Sequence, residues 1–96
     1  MAERKIWIVT GSSRGLGRAI VEGVLERGDI VVATARKTSD LKELVDRYGD
    51  RVKAASLDVT QPEQAQRVIE EAVQQFGRID VLVNNAGYGL WVHSKR

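Results

Sequence analysis

"KIWIVTGSSRGLGRAIVEGVLERGD" (residues 5–29) decides the fold. Its opening, "KIWIVT" (5–10), is apolar, β-branched and aromatic, and it stops at Gly11. A bounded apolar run of this kind predicts a strand buried on both faces. Beyond the glycines, Leu16, Ala19, Ile20, Val21, Val24 and Leu25 recur at helical spacing. A helix is therefore expected, ending before Gly28, which suits a left-handed cap.

The same alternation continues outward. "DIVVATA" (29–35) reads as a second buried strand. "SDLKELVDRYG" (39–49) reads as a short amphipathic helix with Leu41, Leu44, Val45 and Tyr48 on one face. "RVKAASLDV" (51–59) is a third, weaker strand that carries Lys53. Thr60 and Glu63 have capping-box spacing, and Pro62 sits where its missing N–H costs nothing. The helix that follows puts Ala65, Val68, Ile69, Ala72, Val73 and Phe76 on one stripe and ends at Gly77; "RIDVLVN" (78–84) is a fourth strand. Strand and helix alternating in this way specify a parallel sheet with right-handed crossovers, so the fold class is α/β, doubly wound.

Within "TGSSRGLG" (10–17) each glycine has a physical task. Gly11 turns the chain off the strand. Gly15 admits a pyrophosphate close to the backbone, and Gly17 lets the helix pack closely. The helix N-terminus offers free N–H groups and the positive end of its dipole to phosphate, with Ser12 and Ser13 as hydroxyl donors and Arg14 as a charge. A carboxylate at the end of the second strand would hold the ribose 2′-hydroxyl of NAD, whereas a cation suits the 2′-phosphate of NADP. Here Ala35 is followed by Arg36 and Lys37, with no acid before Asp40. That favours NADP(H) over NAD(H), because arginine meets phosphate bidentately.

Bulk properties restrict the alternatives. Ninety-six residues bound one domain with a modest core and a thin stability margin. Net charge is +2, and the 15 basic and 13 acidic residues are interspersed, which argues against nucleic acid as a partner. The absence of cysteine excludes disulfides and thiolate metal sites and fits a cytoplasmic protein. The apolar run at the N-terminus is too short for a signal peptide or a membrane span. A receiver-type α/β module would need acids after the first strand, where this chain has glycine and serine.

Four blocks together, "TGSSRGLG" (10–17), "ATARK" (33–37), "LDVT" (57–60) and "RIDVLVNNAG" (78–87), resemble the short-chain dehydrogenase/reductase family over residues 5 to 90. The resemblance implies a partial Rossmann-type sheet in the order 3-2-1-4. It implies an oxidoreductase that interconverts alcohols and carbonyls by hydride transfer with a nicotinamide dinucleotide. Carried over residue by residue, Gly11, Ser13, Arg14, Gly15, Leu16 and Gly17 would surround the pyrophosphate and adenine ribose. Arg36 would meet the 2′-phosphate, and Asp58 the adenine amino group, with Val59 beside the ring. Asn85, Ala86 and Gly87 would line the cofactor cleft, and Asn84 would stitch the sheet together.

The family's catalytic serine, tyrosine, lysine and asparagine are expected downstream of the fourth strand, and none has a counterpart here. Tyr48 is followed four residues later by Val52, and Tyr88 by Val92, so neither makes Tyr-x-x-x-Lys. No catalytic residue is assigned, and the chain is expected to be inactive alone. The family is typically oligomeric, but its interface segments have no counterpart in these residues. The fourth strand is expected to be an exposed apolar edge, and part of the 62–76 stripe to face water.

Residues 1–90 are therefore read as an NAD(P)-binding half-domain and 91–96, "WVHSKR", as an aberrant tail. Relatives sharing "NNAGYGL" typically continue as in "WGAFEE". Loss of one G from a TGG GGT spelling of that continuation yields Trp-Val-His-Ser-Lys and then Arg or Ser. A frameshift is the favoured reading of the tail; a genuine short terminus or added residues are the alternatives. For function, the alternative is a stand-alone nucleotide-binding module that competes with a full-length relative.

Overall fold

The computed structural model describes residues 4–12, 15–58 and 60–85. Strands and helices alternate as β1 (Ile6–Val9), α1 (Gly15–Glu26), β2 (Ile30–Ala35), α2 (Lys42–Tyr48), β3 (Val52–Ser56), α3 (Pro62–Phe76) and β4 (Val81–Val83). The strands form one parallel sheet in the order β3-β2-β1-β4, as expected. Ile8 on the central strand lies in register with Val32 on one side and Leu82 on the other.

Because side chains alternate across a strand, the sheet feeds two cores. Val9, Val31, Ala33, Ala35 and Val52 pack with Val21, Val24 and Leu25 of α1 and with Leu41 and Leu44. Ile8, Val32, Ala55 and Leu57 pack on the other face with Ala65, Val68, Ile69 and Ala72 of α3. Each fully buried Val, Leu or Ile contributes roughly 1.5–3 kcal/mol relative to exposure. Two helices thus cover one face and a single helix the other.

The contact face of α1 differs from the expected one. Leu16 is 69% exposed, and Ala19 also faces solvent. The buried set is Gly17, Val21, Val24 and Leu25. Its first member is a glycine, which an apolar pattern cannot register. The C-terminus of α1 closes as expected at Gly28, whose φ is 96°. The Gly28 N–H donates to the Leu25 carbonyl at 3.0 Å and the Asp29 N–H to that of Val24 at 3.3 Å, which satisfies carbonyls the helix leaves free.

Three other local readings change. Residues 39–49 are not one helix: a 3₁₀ turn at Thr38–Leu41 precedes α2 and another at Gly49–Arg51 follows it. The expected faces survive, with Leu41 and Leu44 buried and Val45 and Tyr48 packed against them. Strand β1 is not uniformly buried, because Trp7 is half-buried with its indole Nε1–H donating to Asp29 Oδ2 at 3.1 Å. Thr60 does not cap α3. Its N–H and hydroxyl both donate to Asp58 Oδ1, at 3.0 and 2.7 Å, and Gln61 occupies the N-cap position without a side-chain bond. An aspartate two residues upstream holds Thr60 in a tight turn and so competes with the cap. The stripe of α3 does face water in part, with Val73 38% exposed and Phe76 half-buried.

Candidate functional site

In a parallel sheet every strand ends on the same edge, so the segments after β1, β2, β3 and β4 gather there. Gly11, Arg36, Asp58 and Asn85 each follow one of these strands. The order of the sheet reverses beside β1, with β2 and β3 on one flank and β4 on the other. Such a switch point opens a crevice at the C-terminal edge.

Gly11, where the glycine turn leaves β1, and Gly15, where α1 begins, stand at that edge. Asn85 Nδ2 donates to the Gly11 carbonyl at 3.3 Å. A Cβ on Gly17 would overlap the same carbonyl oxygen and stand 2.7 Å from Asn85 Nδ2. Gly11, Gly17 and Asn85 are thus one packed junction, and Gly17 is dictated by contact with the turn as well as with the sheet. Gly15 differs: its φ is 66°, and a Cβ there would meet nothing within 4 Å. Leu16 beside it projects into solvent. The first turn of α1 leaves backbone N–H groups without intrahelical acceptors, and among the described residues no side chain lies within 4 Å of a Cβ built at Gly15. This arrangement fits the pyrophosphate of a dinucleotide.

Ser12 does not belong to the site. It is fully buried; its hydroxyl donates to the Val9 carbonyl at 2.7 Å and its N–H to that of Thr34 at 2.9 Å. The Val9 carbonyl also accepts from the Thr34 hydroxyl at 3.5 Å, so the Ser12 hydroxyl is committed to the closed end of β1. Asn84 has the stitching role expected, acting through a side chain: Thr10 Oγ1 donates to Asn84 Oδ1 at 3.2 Å, and the Thr10 N–H to the Val83 carbonyl at 3.0 Å.

Arg36 and Lys37 are both exposed where the chain leaves β2. The Ser56 hydroxyl donates to the Arg36 carbonyl at 3.2 Å. Asp58 is half-buried after β3, with its N–H donating to Gln64 Oε1 at 2.8 Å. Its carboxyl is held below the usual range, first by the Thr60 hydroxyl, then by the Thr60 N–H, with a smaller part from the Arg36 charge. It is therefore an acceptor at neutral pH. Ser13, Arg14, Val59, Ala86 and Gly87, expected in the site, lie outside the described residues, as does the 91–96 tail.

Sequence reading missed Ser56, Gln64 and Thr10, which hold Arg36, Asp58 and Asn84. Ser56 and Gln64 carry no pattern, because each partner comes from a different segment. Thr10 had a signal: a hydroxyl closing a strand just before a glycine turn has a free strand end within reach.

The short chain dehydrogenase family profile matches residues 5–95. The chain belongs to this family. It is 53% identical to "Oxidoreductase BOA17" of Botryotinia fuckeliana over 85 residues, covering 88% of this chain and 31% of that protein. Among solved structures, it is similar to a short-chain dehydrogenase from Streptomyces avermitilis, with TM-score 0.84, 49% identity, and coverage of 86% of this chain and 31% of the other. It is also similar to L-sorbose reductase from Gluconobacter frateurii in complex with NADPH and L-sorbose, with TM-score 0.79, 40% identity and coverage of 92% and 35%. A 3-ketoacyl-(acyl-carrier-protein) reductase from Brucella melitensis, in complex with NADH, aligns with TM-score 0.76, 25% identity and coverage of 83% and 33%. The chain therefore spans about a third of the length of these short-chain dehydrogenase relatives. Among the described residues, no helix is long and apolar enough to cross a membrane.

Proposed function

We propose that these residues form the NADP(H)-binding portion of a cytoplasmic short-chain dehydrogenase/reductase that interconverts an alcohol and a carbonyl by hydride transfer. The observation that carries the reading is the junction of Gly11, Gly17 and Asn85 beneath an uncovered Gly15, at the switch point of the sheet. Gly15, Leu16 and Gly17, with Ser13 and Arg14, would hold the pyrophosphate and adenine ribose. Asp58 would accept from the adenine amino group beside Val59. Asn85, Ala86 and Gly87 would line the cleft toward the nicotinamide. Arg36, exposed where an acid would serve NAD, supports the phosphorylated cofactor.

When bound, the dinucleotide supplies or takes the hydride. The residues present here bind and orient it, and no Tyr-x-x-x-Lys occurs among them to move the accompanying proton. Isothermal titration of the 96-residue chain with NADPH and with NADH tests the reading. NADPH is expected to bind more tightly, and Arg36→Ala to lose about 1.5–3 kcal/mol of NADPH affinity, the range of a hydrogen bond to a charged group. Tighter binding of NADH would reject the phosphate assignment.

A further inference from the structure

The turn that carries Arg36 and Lys37 has one direct side-chain anchor, and the helix downstream of it has another. On one side, Ala35 of β2 is in register with Ser56 of β3, and the Ser56 hydroxyl reaches one residue further to the Arg36 carbonyl at 3.2 Å. Ser56 is exposed, so water could satisfy its hydroxyl equally well; the bond's consequence is positional. On the other side, Arg18 in the first turn of α1 donates through Nη2 to Glu43 in the first turn of α2 at 2.6 Å. The Arg18 Nε–H donates to Glu22 at 3.2 Å, so its guanidinium is held between two carboxylates. Helix α1 follows the glycine turn, and α2 follows the cationic turn across the 3₁₀ turn at Thr38–Leu41. The Arg18–Glu43 pair therefore ties the helix after the glycine turn to the helix that the Arg36 turn leads into.

We propose that Ser56 and the Arg18–Glu43 pair form a clamp that fixes the Arg36 turn before the cofactor arrives, and that they are positioning residues for discrimination between a 2′-phosphate and a 2′-hydroxyl. This rests on the NADP(H) reading above. The physical ground is preorganisation: a turn already held loses less freedom when its arginine engages phosphate. The rest of the dinucleotide is gripped by the glycine turn, so loosening the clamp weakens NADPH and leaves NADH nearly untouched.

The test is the ratio of NADPH to NADH affinity, measured by titration calorimetry on the full chain and on Ser56→Ala, Ser56→Thr and Glu43→Gln. Circular dichroism melts on each confirm the folded state. Ser56→Ala and Glu43→Gln are each expected to lower the ratio by about threefold to fivefold, the scale of one exposed polar contact. Ser56→Thr keeps the hydroxyl and is expected to retain the ratio of the parent chain. Equal weakening of both cofactors, or an unchanged ratio in Ser56→Ala and Glu43→Gln, would overturn the clamp and leave the cofactor reading intact. A parent chain with no preference for NADPH would overturn the cofactor reading, and the clamp with it.

Discussion

At the scale of the residue, two glycines of one turn are required for opposite reasons. A methyl on Gly17 meets the Gly11 carbonyl and the Asn85 amide, both fixed by the junction itself. Gly17→Ala is expected to cost about 1–3 kcal/mol or more through overpacking and to remove nucleotide binding, as read by denaturant melts and calorimetry. Gly15→Ala meets no atom of the described residues and is expected to bear the left-handed backbone penalty of roughly 1–2 kcal/mol, leaving the core packing as it was. Both glycines were legible from spacing, but the reason for Gly17 was only half legible. The close partner is a carbonyl six residues back, together with an amide from the far end of the chain. Leu16 falls on the apolar period of α1 and is nevertheless exposed, because periodicity counts apolar residues without registering which of them the sheet covers. Ser12 looked like a phosphate donor because its hydroxyl lies in the right loop, yet the end of β1 claims it first.

At the scale of the element, the alternation of strands and helices could be read from the sequence because each element carries its own period, whereas the strand order came from the family resemblance. The ends could not, since caps depend on neighbours: Asp58 takes Thr60 away from α3 and leaves Gln61 at the N-cap. Among the described residues, strand β4 is the edge the sequence implied. Its three residues are all half-buried, Val83 against one core and Leu82 against the other, with Val81 in neither. An apolar edge of this kind templates pairing with another chain. Val81→Lys is expected to reduce self-association in sedimentation velocity while changing stability by less than about 1 kcal/mol, since a charge on an edge strand acts as a gatekeeper. An unchanged association profile would place the self-association surface elsewhere.

At the scale of the whole molecule, the N-terminal edge of the sheet is fastened by two carboxylates. Asp29 accepts from the Lys5 N–H at 3.1 Å and from the Trp7 indole, and Asp80 accepts from the Ile6 N–H at 2.8 Å and from Arg78. Both carboxyls are held below their ordinary range, chiefly by those backbone N–H groups. Each binds a proton less readily in the folded chain than in the unfolded one. Their contribution is therefore complete above the unfolded carboxylate pKa of about 3.9 and is lost as pH falls through the lower folded values. Urea midpoints measured from pH 6 to pH 2 should fall steeply below about pH 4, and Asp29→Asn should flatten that dependence. With one face covered by a single helix, heat denaturation is expected below about 60 °C, and NADPH at 100 times its Kd should add about 2.7 kcal/mol.

The bond between Ile6 and Asp80 also sets a schedule. The strand made first lies in the middle of the sheet, and its last partner follows 74 residues later. At roughly 5–20 residues per second, translation leaves one flank of the nascent central strand unpaired for about 4–15 s over those 74 residues. During that interval the emerging chain offers an apolar strand to chaperones and to neighbouring nascent chains, and codon usage upstream of Asp80 becomes a determinant of yield.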